Sequence, residues 1–163
     1  MANPTLDAIR RLLREAGITF REVQHEPTLT SEESAKARGE ELRTGGKALL
    51  LKTDDMFRLF VLPADRKLDS AAVKRRFGVK KIRFATADEL KEMTGLMPGS
   101  VPPFGPPVLP FELFADDAIR PNERIAFNAG SLTDSIILAT VDYLAVARPT
   151  LFAFSISSNE AKH

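Results

Sequence analysis

The sequence predicts an α+β fold, in which a mixed, largely antiparallel sheet or half-barrel is surrounded by helices. Helical and strand-like segments interleave along the 163 residues. Several strand connections are nevertheless too short for the crossovers that parallel strands need. Neither an internal repeat nor a long linker divides the chain. We therefore expect a single domain over residues 1–163, with a core from about residue 6 to residue 147.

The N-terminal segment predicts a helix and a strand. Asn3 followed by Pro4 is a typical helix start, because the first caps the helix and the second fits its first turn. Apolar residues at helical spacing continue this helix until Gly17 ends it. Residues 18–23 then alternate between apolar and polar side chains, which is typical of a strand.

A short helix and a hairpin follow. Thr30 has a Glu three residues later, the spacing of a capping box, and the helix that it starts ends at Gly39. Residues 47–51 are almost wholly apolar, which predicts a central strand buried on both faces. A turn at residues 54–55 joins this strand to a second one at residues 57–62.

The remaining elements alternate in the same way. Asp69 caps a helix through Phe77, and Thr86, with a Glu three residues later, starts another. An irregular loop rich in Gly and Pro occupies residues 95–107. The other predictions are strands at 80–84, 108–114, 124–128 and 135–139, a closing helix at 140–147, and a frayed tail from Ser155.

Composition excludes several classes of function. Cys is absent, which rules out disulfides, thiolate metal ligands and a Cys nucleophile. The two histidines, His25 and His163, are too few for a His metal cluster or a His-based triad, so we expect neither a metal nor another cofactor. Neither a membrane-spanning apolar run of ~20 residues nor a signal peptide is recognisable, so we expect a cytoplasmic protein without membrane contact.

The charge balance limits how the chain can contact nucleic acid. With 23 Lys and Arg against 22 Asp and Glu, the net charge is +1, whereas proteins that contact many phosphates usually carry a larger excess. Any RNA contact is therefore expected to be local. For each of two basic clusters, a solvated helix face is the alternative to an RNA contact: Arg10, Arg11 and Arg14, and Lys74-Arg75-Arg76 with Lys80, Lys81 and Arg83.

Lys47 is the first residue with a chemically suggestive position. It precedes a buried apolar strand, where an ammonium group needs a partner. Gly46 and Lys47 together resemble the end of a P-loop. However, Glu41 and Ala48 stand where that motif requires Gly and Ser or Thr, and a strand follows instead of a helix. The alternative to a functional lysine is an ordinary lysine at a strand edge.

The Gly/Pro loop is the second suggestive segment, because its prolines stiffen the backbone between glycine hinges. Gly99, Ser100 and Val101 keep their backbone N–H groups, which can line a pocket or stabilise an oxyanion. One alternative is a plain rigid connection. The other is a PxxP ligand for a partner protein, within residues 98–110.

The third segment is a polar turn between two strands. Five short polar side chains crowd into it: Asn128, Ser131, Thr133, Asp134 and Ser135. The alternative to a functional role is a hairpin whose side chains bond only their own backbone.

Taken together, the three segments resemble the YbaK/prolyl-tRNA-synthetase-associated domain family of editing enzymes. The resemblance extends from about residue 6 to residue 147. The motifs that carry it, in this order, are Gly46-Lys47-Ala-Leu-Leu-Leu51, Gly95-x-x-x-Gly-Ser-Val-Pro-Pro-Phe-Gly105 and Phe127-Asn-Ala-Gly-Ser131.

The resemblance implies a pocket between the lysine strand and the Gly/Pro loop. It also implies that this pocket hydrolyses the ester that links a small wrong amino acid, such as alanine, to tRNA. Lys47 matches the family's essential lysine, and Gly99 matches a loop glycine whose backbone polarises the carbonyl. The implied partner is the 3′ end of an aminoacyl-tRNA, with an aminoacyl-tRNA synthetase as a further candidate. The implied substrate-binding positions are Thr30, Ser100, Val101, Pro102, Asn128, Gly130, Ser131 and Asp134.

One position departs from the family pattern. Leu132 stands where some free-standing relatives carry a His after the polar turn. This departure leaves the amino-acid specificity open. It also leaves two alternatives to an editing enzyme, namely a non-catalytic tRNA- or aminoacyl-binding module of the same fold, and an interaction protein that uses the Pro-rich loop at residues 98–110.

Overall fold

In the computed structural model, which describes residues 2–158, helices surround a mixed sheet and two smaller sheets, so the α+β prediction is confirmed. The helices are α1 (Pro4–Glu15), α2 (Ser31–Arg38), α3 (Ser70–Phe77), α4 (Ala87–Thr94) and α5 (Thr140–Ala147). The strands are β1 (Arg21–Gln24), β2 (Gly46–Thr53), β3 (Met56–Pro63), β4 (Arg66–Leu68), β5 (Ile82–Phe84), β6 (Leu113–Asp116), β7 (Arg124–Asn128), β8 (Asp134–Ala139), β9 (Thr150–Phe152) and β10 (Ser155–Ser157).

The largest sheet has five strands in the order β5-β2-β3-β6-β9. β2 pairs antiparallel with β3 and β5, whereas β6 pairs parallel with β3 and β9. Parallel neighbours need a long connection, and residues 64–112, which include α3, α4 and the Gly/Pro loop, provide one. The sheet is thus mixed as predicted, but half of its pairings are parallel.

Two smaller sheets complete the β-structure. One has the order β1-β8-β7 and is antiparallel, and the other pairs β10 with β4. A bridge between Gly45 and Ala126 joins the residue before β2 to β7. This contact brings the start of the lysine strand beside the strand that ends at Asn128.

Apolar clusters cover both faces of the five-stranded sheet. Because side chains alternate along a strand, Leu50 contributes to the larger cluster and Leu51 to the smaller one. The smaller cluster is rich in phenylalanine, and the rings of Phe60 and Phe154 meet edge to face at 5.3 Å between centroids. Phe154 is fully buried, so the core extends beyond residue 147, where the sequence analysis ended it.

The capping signals explain where the helices begin. Asn3 accepts a hydrogen bond from the Leu6 N–H at 3.0 Å, as predicted for the start of α1. Both bonds of the capping box are present at the start of α4. At α2 only half of the predicted box forms, because Thr30 accepts from the Glu33 N–H while the Glu33 carboxylate accepts from the Leu29 N–H instead.

Three predictions of local structure were wrong. The strand expected at 108–114 begins only at Leu113, because the N–H groups of Val108 and Leu109 both turn back to the Gly105 carbonyl. The strand expected at 18–23 is Arg21–Gln24. The tail expected to fray from Ser155 begins with β10, which pairs with β4. Residues 159–163, including His163, lie outside the described residues.

Within residues 2–158, none of the helices combines the length and apolar character needed to cross a membrane.

Phe154→Ala should destabilise the protein by about 3–5 kcal/mol, because it removes a fully buried ring and leaves a cavity. Phe84→Ala is the matched control, since 59% of Phe84 is exposed, and it should cost about 1 kcal/mol or less. Chemical denaturation followed by circular dichroism measures both. Equal losses would show that the chain after residue 147 is not part of the core.

Candidate active site

A cavity of about 90 Å³ opens where the start of β2, the end of β7 and the Gly/Pro loop meet, with α2 on the remaining side. Four residues singled out from the sequence line it: Lys47, Gly99, Val101 and Asn128. The other lining residues are Ser31, Ser34, Arg38, Gly45, Gly46, Ala48 and Ala64. The lining therefore contains two cations and no carboxylate.

Six other predicted substrate-binding residues do not line this cavity. Ser100 is fully buried and its hydroxyl donates to the Met97 carbonyl at 2.7 Å. Ser131 donates to the Asp134 carboxylate at 2.8 Å within the polar turn. The remaining three are Thr30, which caps α2, Pro102, which is buried, and Gly130, whose N–H donates to the Ser100 carbonyl. Their contacts with a substrate stay predictions.

Two glycines explain why β2 can begin so close to β7. A side chain at Gly46 would place its Cβ 2.6 Å from a methyl group of Ile125, and one at Gly45 would lie 3.0 Å from the Ala64 methyl group. Only glycine permits this approach. The Gly45-Gly46 break in the sequence therefore marks a close contact between strands, and this contact places Lys47 at the cavity.

Lys47 is half-buried and its ammonium donates to the Arg66 carbonyl at 3.3 Å. Burial lowers the pKa of Lys47 below its ordinary value of 10.5, and the charge of Lys67 lowers it further, while Glu32 and Asp65 partly oppose both effects. Among residues 2–158, no carboxylate lies within 4 Å of this ammonium. The cation can therefore still accept an anionic partner.

Two of the three predicted N–H groups of the Gly/Pro loop are not used in hydrogen bonds within residues 2–158. The Ser100 N–H is not free, because it donates to the Met97 carbonyl at 3.1 Å. The N–H groups of Gly99 and Val101 have no acceptor within residues 2–158, and both residues line the cavity. Gly99 has φ +88°, a conformation that favours glycine.

The loop is anchored to the rest of the protein at several points. Phe104 is buried between Phe127 and Tyr143, and the Tyr143 hydroxyl donates to the Pro103 carbonyl at 2.7 Å. A PxxP ligand needs an accessible extended segment, whereas Pro103 is buried here. These contacts favour a rigid wall of the cavity over a ligand for a partner protein.

Arg38 is the cavity residue that the sequence analysis missed. It is the last residue of α2, and only 7% of it is exposed. Its guanidinium donates to the Ser135 hydroxyl at 2.9 Å and to the Asn128 side-chain oxygen at 3.0 Å. Burial lowers its pKa to about 10, so the group remains charged near neutral pH. Glu40, which raises this pKa slightly, forms its ion pairs with Arg21 and Arg124 instead.

Asn128 connects Arg38 to the loop. Its side-chain oxygen accepts from Arg38, and its side-chain nitrogen donates to the Gly99 carbonyl at 2.8 Å. These two bonds fix which way the amide points. On the other side, the Ser135 hydroxyl lies 2.8 Å from the ring of His25. From the sequence alone, Arg38 is an ordinary cation in the last turn of a helix, so no local signal marked it.

Within the described part of the chain, no three His, Cys, Asp or Glu side chains converge as a group that could hold a metal ion.

A sequence profile of the aminoacyl-tRNA editing domain matches residues 25–146, and the chain belongs to this family. The resemblance inferred from the three motifs is thereby confirmed.

Individual relatives agree with this assignment. The multifunctional Ser/Thr-tRNA deacylase ProXp-y of Escherichia coli K12 is 37% identical over 149 residues, which cover 88% of each chain. A proline–tRNA ligase of Shouchella clausii is 35% identical over 100 residues, which cover 61% of this chain and 17% of the ligase. A crystal structure described as that of a candidate trans-editing enzyme for prolyl-tRNA synthetase superimposes with a TM-score of 0.82 at 23% identity. The superposition covers 96% of this chain and all of the other, which supports the fold.

The Lys47 ammonium should titrate below pH 10.5, because burial and the charge of Lys67 both disfavour its protonated form. Lys67→Gln removes a like charge and should raise the midpoint, whereas Lys52→Gln, five residues along the same strand, should leave it unchanged. NMR of the labelled lysine side chains measures the three midpoints. A midpoint of 10.5 or higher in the unaltered protein would contradict the burial of Lys47.

Proposed function

We propose that this chain is an enzyme that hydrolyses the ester bond of a mischarged aminoacyl-tRNA carrying a small amino acid. One observation carries the proposal. A cavity with two cations, two unbonded N–H groups and no lining carboxylate suits a reaction in which negative charge develops on a carbonyl oxygen. Family membership supports it, as does the E. coli relative that is named as a tRNA deacylase.

In the proposed mechanism, water attacks the ester carbonyl carbon. The N–H groups of Gly99 and Val101 stabilise the resulting oxyanion, and Lys47 compensates its charge or holds the terminal phosphate. The free hydroxyl of the terminal ribose orients the water. The carbon–oxygen bond to the ribose then breaks, the ribose oxygen takes up a proton, and the amino acid leaves as a carboxylic acid. Because an ester is already reactive, positioning and electrostatics suffice without a strong protein base.

Serine and threonine suit the cavity better than the alanine inferred from the sequence. On the α2 side the cavity is lined by Ser31 and Ser34, and the Ser34 hydroxyl already shares a hydrogen bond with the Thr28 hydroxyl at 2.7 Å, which leaves Ser31 to bond a substrate hydroxyl. A site built to bond a substrate hydroxyl discriminates strongly against an analogue that lacks it. The E. coli relative, whose name specifies Ser/Thr-tRNA, supports this order. The small volume of the cavity, about 90 Å³, favours small amino acids.

Leu132 does not line the cavity but lies beside Gly99, which does. One of its methyl groups lies 3.3 Å from the point where a Cβ on Gly99 would be. A His there, as in some free-standing relatives, would add a polar group beside the loop. We propose that Leu132 alters which small amino acid is preferred.

We further propose that the enzyme acts in trans, as one domain in the cytoplasm. The E. coli deacylase supports this, because 88% of its length is matched, whereas the matched part of the ligase is a small fraction of a longer chain. A synthetase is a candidate partner that would deliver the mischarged tRNA.

The decisive test is a deacylation panel of alanyl-, seryl-, threonyl- and prolyl-tRNA. We expect turnover of the seryl and threonyl substrates and none of the correctly charged prolyl-tRNA. Lys47→Ala should lower the rate by on the order of 10²-fold or more while the protein stays folded. Lys91→Ala, which removes an exposed lysine of α4 that does not line the cavity, is the control and should keep the full rate.

Two outcomes would contradict the proposal. A normal rate in Lys47→Ala would refute the mechanism. Failure to hydrolyse any member of the panel would instead favour a non-catalytic binding module of the same fold.

Arg38 is proposed as a positioning residue, because it acts through Asn128 on the loop. Arg38→Ala should lower kcat by on the order of 10²-fold, since small displacements of a positioned group have large effects on rate. Free guanidinium at a sub-denaturing concentration should restore part of the rate by occupying the vacated space. Arg124→Ala, whose guanidinium pairs with Glu40 at 2.9 Å and does not line the cavity, is the control and should keep its kcat. If kcat falls, guanidinium does not restore it, and the melting temperature of Arg38→Ala also falls, then Arg38 has only a structural role.

A further inference from the structure

Charge is unevenly distributed along this nearly neutral chain. Residues 66–83 contain eight Lys or Arg and one Asp, whereas the remainder contains 15 Lys or Arg and 21 Asp or Glu. The small net charge therefore combines a strongly basic segment with an acidic remainder. Local concentration of one sign of charge is what attracts a polyanion.

The fold gathers this segment on one surface. It forms β4, α3 and β5, and the outer side of α3 exposes Lys74, Arg75 and Arg76. A groove of about 440 Å³ lies between the end of α3 and the β2–β5 edge. We call it the basic groove, because most of its lining residues are cations: Lys52, Lys74, Lys80, Lys81 and Arg83.

Most cations of the basic groove lack a protein counter-charge. Among residues 2–158, only Arg83 of the five forms an ion pair, with Glu89 at 2.8 Å. Asp54 also lines the groove, but its carboxylate accepts from the backbone N–H groups of Lys80 and Lys81, at 3.1 and 2.9 Å. These two bonds hold the loop in place beside the groove. In the cluster on α1, Arg10 is paired with both Asp7 and Glu22, whereas Arg11 and Arg14 form no ion pair within residues 2–158.

The basic groove and the candidate active site lie at opposite ends of β2. Lys47 and Lys52 are five residues and about 17 Å apart, and because side chains alternate along a strand they point to opposite faces of the sheet. Along β2, Lys47 alternates onto the same face as Leu51, which packs with Val73 of α3. The basic segment itself begins at the cavity, because the Arg66 carbonyl accepts from the Lys47 ammonium.

We propose that the basic groove binds the phosphodiester backbone of the substrate tRNA near its aminoacylated end. The inference rests on the proposed function, because the ester must lie in the cavity while the preceding phosphates follow β4 and α3. Lysine side chains at a groove supply point charges, which position a phosphate backbone without reading its sequence. Amino-acid selection in the cavity and RNA affinity at the groove are thus separate tasks of separate parts of the protein.

The test compares two double substitutions that each remove two exposed cations. Lys80→Ala/Lys81→Ala alters the basic groove, and Arg11→Ala/Arg14→Ala alters the cluster on α1. Binding of uncharged tRNA is measured by fluorescence anisotropy over a range of salt concentrations. We expect the groove variant to bind more weakly and its salt slope to fall by about 2, because each lost phosphate contact lowers the slope by about 1. The control variant should keep the slope of the unaltered protein.

A second measurement separates this inference from the proposed function. Hydrolysis of an aminoacyl-adenosine, an ester without the tRNA backbone, by the unaltered protein reports on the cavity alone. Failure of that reaction would refute the proposed function, while the binding experiment would still test the groove. With tRNA as substrate, KM should rise in the groove variant and stay unchanged in the control.

Three results would overturn the inference. One is an unchanged salt slope in the groove variant, and another is an equal decrease in both variants. The third is binding of the unaltered protein to vesicles of anionic lipid but not to tRNA, which would assign the groove to a membrane surface.

Discussion

The buried guanidinium of Arg38 holds together the parts of the protein on which the candidate site depends. It belongs to α2, bonds Ser135 of β8 and Asn128 of β7, and through Asn128 reaches the Gly99 carbonyl. A buried cation without a carboxylate partner gains its stabilisation from neutral acceptors in fixed positions. If either acceptor moved away, the buried guanidinium would lose a hydrogen bond that water does not replace. We therefore expect these groups to hold one arrangement.

This rigidity gives the cavity its chemical character. Arg38 and Lys47 both line it, and the lining contains no carboxylate. Burial lowers the pKa of each cation, which means that the surroundings of the cavity disfavour the positive charge that it contains. Negative charge that develops on a substrate relieves this cost. In the proposed mechanism, this electrostatic environment would favour the oxyanion over the neutral ester, which is the difference that accelerates a reaction.

The sequence was informative wherever the signal is local. The caps at Asn3, Asp69 and Thr86 were predicted correctly, because such bonds join residues three apart. It missed β4, β9 and β10, since three residues carry little alternation, whereas the equally short β5 was predicted as part of the longer segment 80–84. The parallel pairing of β3, β6 and β9 was also missed, because nothing in a strand's own sequence records the direction of its neighbour.

By itself, the sequence determined the α+β class and the family. It also predicted Lys47, Gly99 and Asn128 as site residues, because each lies in a short motif whose composition is unusual, and all three line one cavity. Only the tertiary structure decided which polar groups share a cavity. It brought Arg38 to Asn128, which is 90 residues away in the chain, and it left the Gly99 N–H unbonded while that of Ser100 was used. The physical reason is that burial and hydrogen-bond partners are properties of packing. A helix-terminal arginine looks the same in sequence whether it faces water or a pocket.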